Sequence, residues 1–313
     1  MTRPAILVHS AAIASKLGDC AFGDAPIYGP ESILKGVSAE LASSVEILIS
    51  GGEPLDTRLV DALPRLKLVA CFSTGYAGID LAHLRSRGIA LTSAAGINAH
   101  DVADHALALL LALWHGVPAA DRLVRGGGWR QGVAPRRSLR GRRAGIVGLG
   151  RIGDAVARRL AAHEMAVRWW GPRDKPGAAF ARAPSLAALA AESDVLVVTS
   201  RATQANAGQI DASILHALGS EGVLVNVSRG FLVDEDALIA ALRTGALGGA
   251  ALDVFVDEPT EARRWRDVPN VVLTPHLAGF TTEAGVDMIG QLEENVRRHL
   301  RGEPLFSRVE DPV

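Results

Sequence analysis

Arg229, Glu258 and His276 each follow a short apolar run of the kind that forms a strand. VLVNV leads to Ser228-Arg229-Gly230, GAALDVF to Val256-Asp257-Glu258-Pro259, and VVLT to Pro275-His276. In a parallel sheet, ligands gather outside the carboxyl ends of the strands, so three groups far apart in sequence can meet in one cleft. Their types make a coherent set. An arginine grips a carboxylate through two parallel hydrogen bonds. A histidine gives or takes a proton near neutral pH, and a glutamate beside it fixes the ring and favours the imidazolium. General acid catalysis of that kind contributes about 10²–10⁴-fold in rate. Taken singly, each has a plainer reading: a loop histidine, an arginine tying down loop carbonyls, a glutamate capping a turn before proline.

A second set of residues points to a cofactor. The strand candidate RAGIV (143–147) runs directly into GLGRIG (148–153). Gly148 allows the tight turn, Gly150 lets backbone approach a pyrophosphate, and Gly153 lets the helix pack close to the strand. The helix from Arg151 and Ile152 points its first N–H groups at phosphate oxygens. A lone glycine motif is weak, since glycine turns are common. Here a strand precedes it, a helix follows, and another strand comes at Ala166–Trp170.

That next strand runs out into Gly171-Pro172-Arg173-Asp174-Lys175. Dinucleotide sites for NAD usually carry an acid there for the ribose 2′-hydroxyl. Gly171 leaves room instead, and Asp174 lies beyond a proline between two bases. Arg173 and Lys175 supply positive charge, and Arg201 opens the loop after the following strand, Val195–Ser200. Any one of these bases alone reads as a solvated surface residue. Three of them, at what the order of the sequence makes adjacent strand ends, favour a 2′-phosphate.

The elements that must position these residues alternate through the chain, which argues for an α/β fold with mostly parallel sheets. Strands are predicted near 5–8, 45–49, 67–72, 89–92, 143–147, 166–170, 194–198, 223–227, 248–252 and 271–274. Helices are predicted near 56–63, 80–87, 151–162, 185–191, 211–218, 234–243 and 281–300. A long helix begins near Asn98 and ends near Gly116-Val117-Pro118. Its apolar surface is broad enough to suggest burial between domains or subunits. Arg125–Arg140 reads as loop.

The 313 residues suit two domains. Lys and Arg total 33 against 34 Asp and Glu, so bulk binding to nucleic acid or an acidic membrane is not favoured. Neither a spanning segment nor a signal peptide is evident. The two cysteines, Cys20 and Cys71, make no disulfide framework, and Cys71 reads as a buried free thiol. A reducing cytoplasm fits. The histidines form no HExxH or similar metal pattern, and no GxSxG supports acyl transfer.

The sequence resembles the D-2-hydroxyacid dehydrogenase family over nearly its whole length. The likeness rests on GRRAGIVGLGRIG, on NVSRGFLVDEDALIAALRTGALGGAALDVFVDEP and on PNVVLTPHLAGFTT. FSTGYAGID (72–80) and GINAHDVADHALALLLAL (96–113) are similar to further family segments. The resemblance implies two Rossmann-like domains, each a mostly parallel sheet flanked by helices, with a cleft between them. The substrate domain would be 1–98 plus 285–313, flavodoxin-like, and the dinucleotide-binding domain 99–284. It implies Arg229 for the substrate carboxylate and carbonyl, Glu258 paired to His276, and His276 as proton donor. Backbone amides at Thr74 and Gly75 would bind the carboxylate. Asp253 and Gly279 match positions at the nicotinamide end. The long helix and the loop after it match the family's homodimer contact.

The chain departs from the family in GYAGID, where GYDNID is frequent, in the missing ribose acid, and at Arg201, where a proline is common. The last two changes resemble NADPH-preferring glyoxylate/hydroxypyruvate reductases. The expectation is therefore reduction of a small 2-oxo acid to the D-2-hydroxy acid with NADP(H), NAD(H) remaining possible. The alternatives are an NAD-dependent enzyme of lactate or phosphoglycerate type and a cofactor-sensing, corepressor-like binding protein. Formate oxidation fits less well, because that relative pairs its histidine with Gln. Leu55, Tyr76 and Phe280 are candidates for lining the substrate pocket.

Overall fold

A computed structural model describes residues 4–17, 22–34 and 36–310; Cys20 lies outside them. The chain divides into two compact units, Met1–Asn98 with Thr281–Val313, and Ala99–Phe280. The second crossing falls at Phe280/Thr281, ahead of the boundary expected after 284. Thr281 is the N-cap of the final helix, Thr282–Arg301, and its side chain accepts from the Ala284 N–H. The unit therefore begins where the helix does.

The first unit contains β1 (Ala5–Val8), β2 (Ile27–Tyr28), β3 (Val45–Ser50), β4 (Leu68–Cys71) and β5 (Ala90–Thr92), paired in parallel in the order β2-β1-β3-β4-β5. Helices cover both faces of such a sheet, so its strands read as continuous apolar runs. Successive side chains serve opposite faces. Ala5, Leu7, Val45 and Leu48 pack in one core, while Ile6, Val8, Ile47 and Ile49 pack in another with Leu292 and Val296 of the final helix. Cys71 is a buried free thiol, and burial pushes it up from its usual range against the opposing effect of Ser73.

The second unit contains β6 (Arg143–Val147), β7 (Ala166–Trp170), β8 (Ala181–Arg182), β9 (Val195–Val198), β10 (Val223–Asn226), β11 (Gly249–Leu252) and β12 (Val271–Leu273). All pair in parallel in the order β12-β11-β10-β9-β6-β7-β8. The winding starts at β6, runs outward through β7 to β8, then returns to the other side of β6 at β9. The reversal leaves a crevice at the carboxyl end of β6, where doubly wound sheets bind their ligands.

Several elements differ from expectation, the short helices Ala11–Ala14, Glu31–Leu34, Ala39–Ala42 and Ala262–Trp265 among them. β2 and β8 have two residues each, too few to show an alternating pattern. A helix, Val117–Arg125, follows the long helix Ala99–His115. Gly116 takes φ 65° and breaks the first helix, and Pro118 sits in the first turn of the second, where its missing N–H costs nothing. The broad apolar surface of Ala99–His115 also has a nearer explanation than an interface. Val102, Ala103, Ala106, Leu109, Leu110 and Trp114 join the core of their own unit with Ala155, Val156 and Leu160 of the helix Arg151–Ala162. No single helix among the described residues is long and apolar enough to cross a membrane.

Candidate active site

The glycine turn at the end of β6 is shaped for a close approach. Gly148 has φ +93°, and a Cβ there would lie 2.4 Å from Ser200 Cα. A Cβ on Gly153 would lie 2.1 Å from Gly148 O, so only glycine lets the helix start this close to the turn. Gly150 is the opposite case, since a Cβ there would meet nothing within 4 Å. Two glycines are closed by protein while the middle one faces open space at a helix N-terminus. That is the cradle a pyrophosphate requires. Arg151 is exposed in the first turn of the helix, and Ile152 packs against the core beneath.

The bases flank this turn. β6 lies between β7 and β9, so the loops carrying Arg173 and Arg201 do not stand at adjacent strand ends, as the order of the sequence suggests. They rise on either side of the glycine turn, because the winding reverses there. Lys175 Nζ donates to Leu149 O inside the turn, and Ser200, next to Arg201, touches it from the other side. Gly171 is buried at the tip of β7, and its carbonyl accepts from Arg182 Nη2 at 2.7 Å. Arg173 and Arg201 are exposed.

At the other end of the same edge, Glu258 ties two loops together. Its Oε2 lies 2.6 Å from His276 Nδ1, and its Oε1 accepts from the Phe255 N–H at 3.0 Å. Arg229 reaches the same neighbourhood from β10. Burial pulls its guanidinium down from its usual range, and the Glu258 charge opposes that shift. Its Nη1 donates to Ser228 O at 2.6 Å. The next residue explains why the sequence reads Arg-Gly: a Cβ on Gly230 would lie 1.8 Å from the Phe255 carbonyl carbon. Any larger residue would push the Arg229 loop off the segment that presents Glu258. Arg229, Glu258 and His276 thus form one polar cluster, with the imidazole half-exposed and Arg229 half-buried.

Asp253 supports this cluster from below. It is 0% exposed. Its Oδ1 accepts from the Leu277 N–H at 2.8 Å and from Thr274 Oγ1 at 2.6 Å, and its Oδ2 accepts from the Ala278 N–H at 2.8 Å. His105 Nε2 lies 3.0 Å from Thr274 Oγ1 and 3.3 Å from Asp253 Oδ1. The His276 N–H donates to Asp253 O at 2.8 Å. These bonds hold His276 at φ 55°, a conformation that costs a non-glycine residue energy unless its surroundings impose it. The Asp253 carboxylate therefore shapes the loop that carries His276. Gly279 sits in the turn that Phe280 N–H closes onto Leu277 O at 2.9 Å.

Thr74 and Gly75 lie in the other unit, in the loop after β4, where Ser73 Oγ donates to Gly75 O. Both are half-buried. Among the residues expected to line a pocket, Leu55 is in the core, Tyr76 packs against that core, and Phe280 is 81% exposed. Two features escape sequence reasoning. Thr274 has no motif of its own, and a pairing of His9 with Glu53 joins residues with no sequence relation.

A doubly wound parallel sheet with a phosphate-shaped turn at its reversal, and a carboxylate-backed imidazole on the same edge, defines a nicotinamide-dinucleotide oxidoreductase. Residues 107–278 match the D-isomer specific 2-hydroxyacid dehydrogenase NAD binding domain, and the chain belongs to that family. It is 39% identical over 255 residues to glyoxylate/hydroxypyruvate reductase A of Arabidopsis thaliana, covering 81% of this chain and 82% of that one. It is 38% identical over 255 residues to hydroxyphenylpyruvate reductase of Plectranthus scutellarioides, with 81% of this chain and 82% of the relative covered. Among solved structures, it resembles an NADPH-dependent glyoxylate/hydroxypyruvate reductase of Sinorhizobium meliloti in complex with NADP and malonate. That match has a TM-score of 0.86 and 34% identity, over 98% of this chain and 97% of that one.

The Asp253 network carries a direct consequence. Asp253→Ala would leave the Leu277 and Ala278 N–H groups and Thr274 without their acceptor. The expected loss is roughly 2–4 kcal/mol of unfolding free energy in urea. A loss below about 1 kcal/mol would mean that water replaces the carboxylate and that the loop does not depend on it.

Proposed function

We propose that this protein reduces a small 2-oxo acid of the glyoxylate/hydroxypyruvate type to the D-2-hydroxy acid, with NADPH preferred. The observation that carries the reading is the Glu258–His276 pair at 2.6 Å beside the half-buried Arg229. The bound dinucleotide supplies a hydride to the carbonyl carbon. Arg229 binds the substrate's carboxylate and draws charge from its carbonyl oxygen. With Nδ1 turned to Glu258, His276 presents Nε2 outward, and as imidazolium it delivers the proton that the new alkoxide requires. Glu258 stabilises that charged form and fixes the ring plane. In the unit that begins the chain, the amides of Thr74 and Gly75 are proposed to bind carboxylate oxygens. That unit takes the substrate-domain role and Ala99–Phe280 the dinucleotide-binding role.

The preference for NADPH is supported by the absence of an acid at the tip of β7 and by bases on both sides of the glycine turn. The Sinorhizobium meliloti relative, crystallised with NADP, agrees with this preference. We assign the protein to the cytoplasm, where a reduced Cys71 fits. A homodimer is proposed, in which a second copy covers the helix Val117–Arg125 and the segment after it. The support is the exposure of Val124 and Trp129, at 55% and 64%.

Four measurements follow. His276→Gln is expected to cut kcat by about 10²–10⁴-fold while NADPH binding changes little; comparable loss of both would assign the histidine a structural role. In the wild type, kcat/KM for reduction should fall as pH rises, because the donor proton is lost. A flat profile across roughly pH 5–9 would remove His276 as acid. Arg173→Ala should raise KM for NADPH about tenfold or more and leave that for NADH little changed; equal effects would count against the phosphate clamp. Sedimentation should give twice the chain mass, and a monomer at micromolar concentration would reject the dimer.

A further inference from the structure

We propose that His9 and Glu53 form a specificity dyad that selects 2-oxo acids carrying a hydroxyl on carbon 3. This rests on the reading of the protein as a 2-oxo acid reductase. His9 follows β1 directly, and its N–H donates to Ile49 O at 2.8 Å. Glu53 follows β3 by three residues. The His9 Nδ1 and Glu53 Oε1 atoms lie 2.8 Å apart, and the two side chains keep 21% and 36% of their surfaces exposed. A pair held at hydrogen-bond distance, yet still partly open, is a polar group available to a ligand.

Its position is set by glycines. β1, β3 and β4 are neighbours in the sheet, so the residues after them share one carboxyl edge. A Cβ on Gly51 would lie 2.5 Å from Glu53 Oε2 and 3.0 Å from Ser10 Oγ, so the carboxylate folds back over the end of β3 towards β1. A Cβ on Gly52 would lie 2.2 Å from Ser73 Oγ and 3.1 Å from Gly75 O. A Cβ on Gly78 would lie 2.8 Å from Pro54 N. The segment 51–54 therefore lies directly against the loop that carries Thr74 and Gly75. The proposal seats the substrate carboxylate on those amides and its third carbon beside this segment.

The chemistry of the dyad decides what it accepts there. Glu53 Oε1 accepts a hydrogen bond from His9 Nδ1–H, which leaves Oε2 able to accept another. A substrate hydroxyl can donate to Oε2. A methyl cannot, and it leaves a carboxylate partly stripped of water without a partner. A second substrate carboxylate or a phosphate would meet like charge. Hydroxypyruvate and pyruvate differ by this one hydroxyl, so their ratio isolates the effect. Sites built to bond a substrate hydroxyl discriminate against the analogue lacking it far better than apolar pockets discriminate by size.

The test is kcat/KM with NADPH for hydroxypyruvate and pyruvate, in the wild type and in Glu53→Ala, Glu53→Gln and His9→Phe, with the melting temperature of each variant recorded. The wild type is expected to favour hydroxypyruvate strongly. Glu53→Ala should lower the hydroxypyruvate-to-pyruvate ratio about tenfold or more, about what one charged hydrogen bond provides. Glu53→Gln keeps an acceptor oxygen and should recover part of the ratio, and His9→Phe should lower it through the lost orientation of Glu53. If the ratio stays within twofold in every variant that melts like the wild type, the dyad is overturned while the reductase reading stands. If the wild type reduces glyoxylate but neither of these acids, the dyad is overturned and the reductase reading stands; if it reduces none of the three with NADPH or NADH, both fall together.

Discussion

The buried carboxylate of Asp253 is the constraint on which the reactive edge depends. A carboxylate without access to water is costly unless donors surround it. Here the donors come from the loop that carries His276: two backbone N–H groups and the Thr274 hydroxyl. The charge cannot be satisfied unless that loop folds back over β11, and once folded back the loop can hold His276 in a left-handed conformation. Position and protonation are thereby divided between two acids. Asp253 fixes where the imidazole stands, and Glu258 fixes how its ring points. Neither could do the other's work. Asp253 is buried beneath the loop and bonds its backbone, while the partly exposed Glu258 bonds the imidazole itself.

The same edge uses glycine in two opposed ways. At Gly148, Gly153 and Gly230 the missing side chain is filled by neighbouring protein, which brings a helix or a loop into contact that no other residue permits. At Gly150 the space stays open. The first use makes the scaffold rigid, and the second leaves room above it. Arg229 shows the electrostatic counterpart. Its charge is partly removed from water, which lowers its hold on its own proton, but the nearby Glu258 restores part of that hold.

The strands of three or more residues were legible in the sequence, because strands covered on both faces are mostly apolar. The two-residue strands β2 and β8 left no such trace, and the helix Val117–Arg125 was hidden by the glycine and proline that introduce it. The order of strands was less legible than the strands themselves. Arg173 and Arg201 follow successive long strands, but the sheet inserts β6 between them. Arg229, Glu258 and His276 could be found because each stands just past a strand end and their types complement one another. Asp253 stands in the same kind of place, and its expected nicotinamide contact came from the family resemblance alone. Its actual partners lie up to 25 residues further on, in a loop whose direction only the fold reveals. The pairing of His9 with Glu53 spans 44 residues and belongs to no spacing rule.

The reversal of the winding at β6 separates two tasks that share one edge. The loops after β7 and β9, which flank the turn, come from stretches of chain that contribute no residue to the Asp253–His276 network. A change of charge at Arg173 or Arg201 removes no donor from Asp253, although Ser228 Oγ, beside Arg229, donates to Ser200 O at 2.6 Å. Lineages built on this plan are free to drift between pools of reducing equivalents by exchanging a few loop residues, with no need to rebuild the part that handles protons.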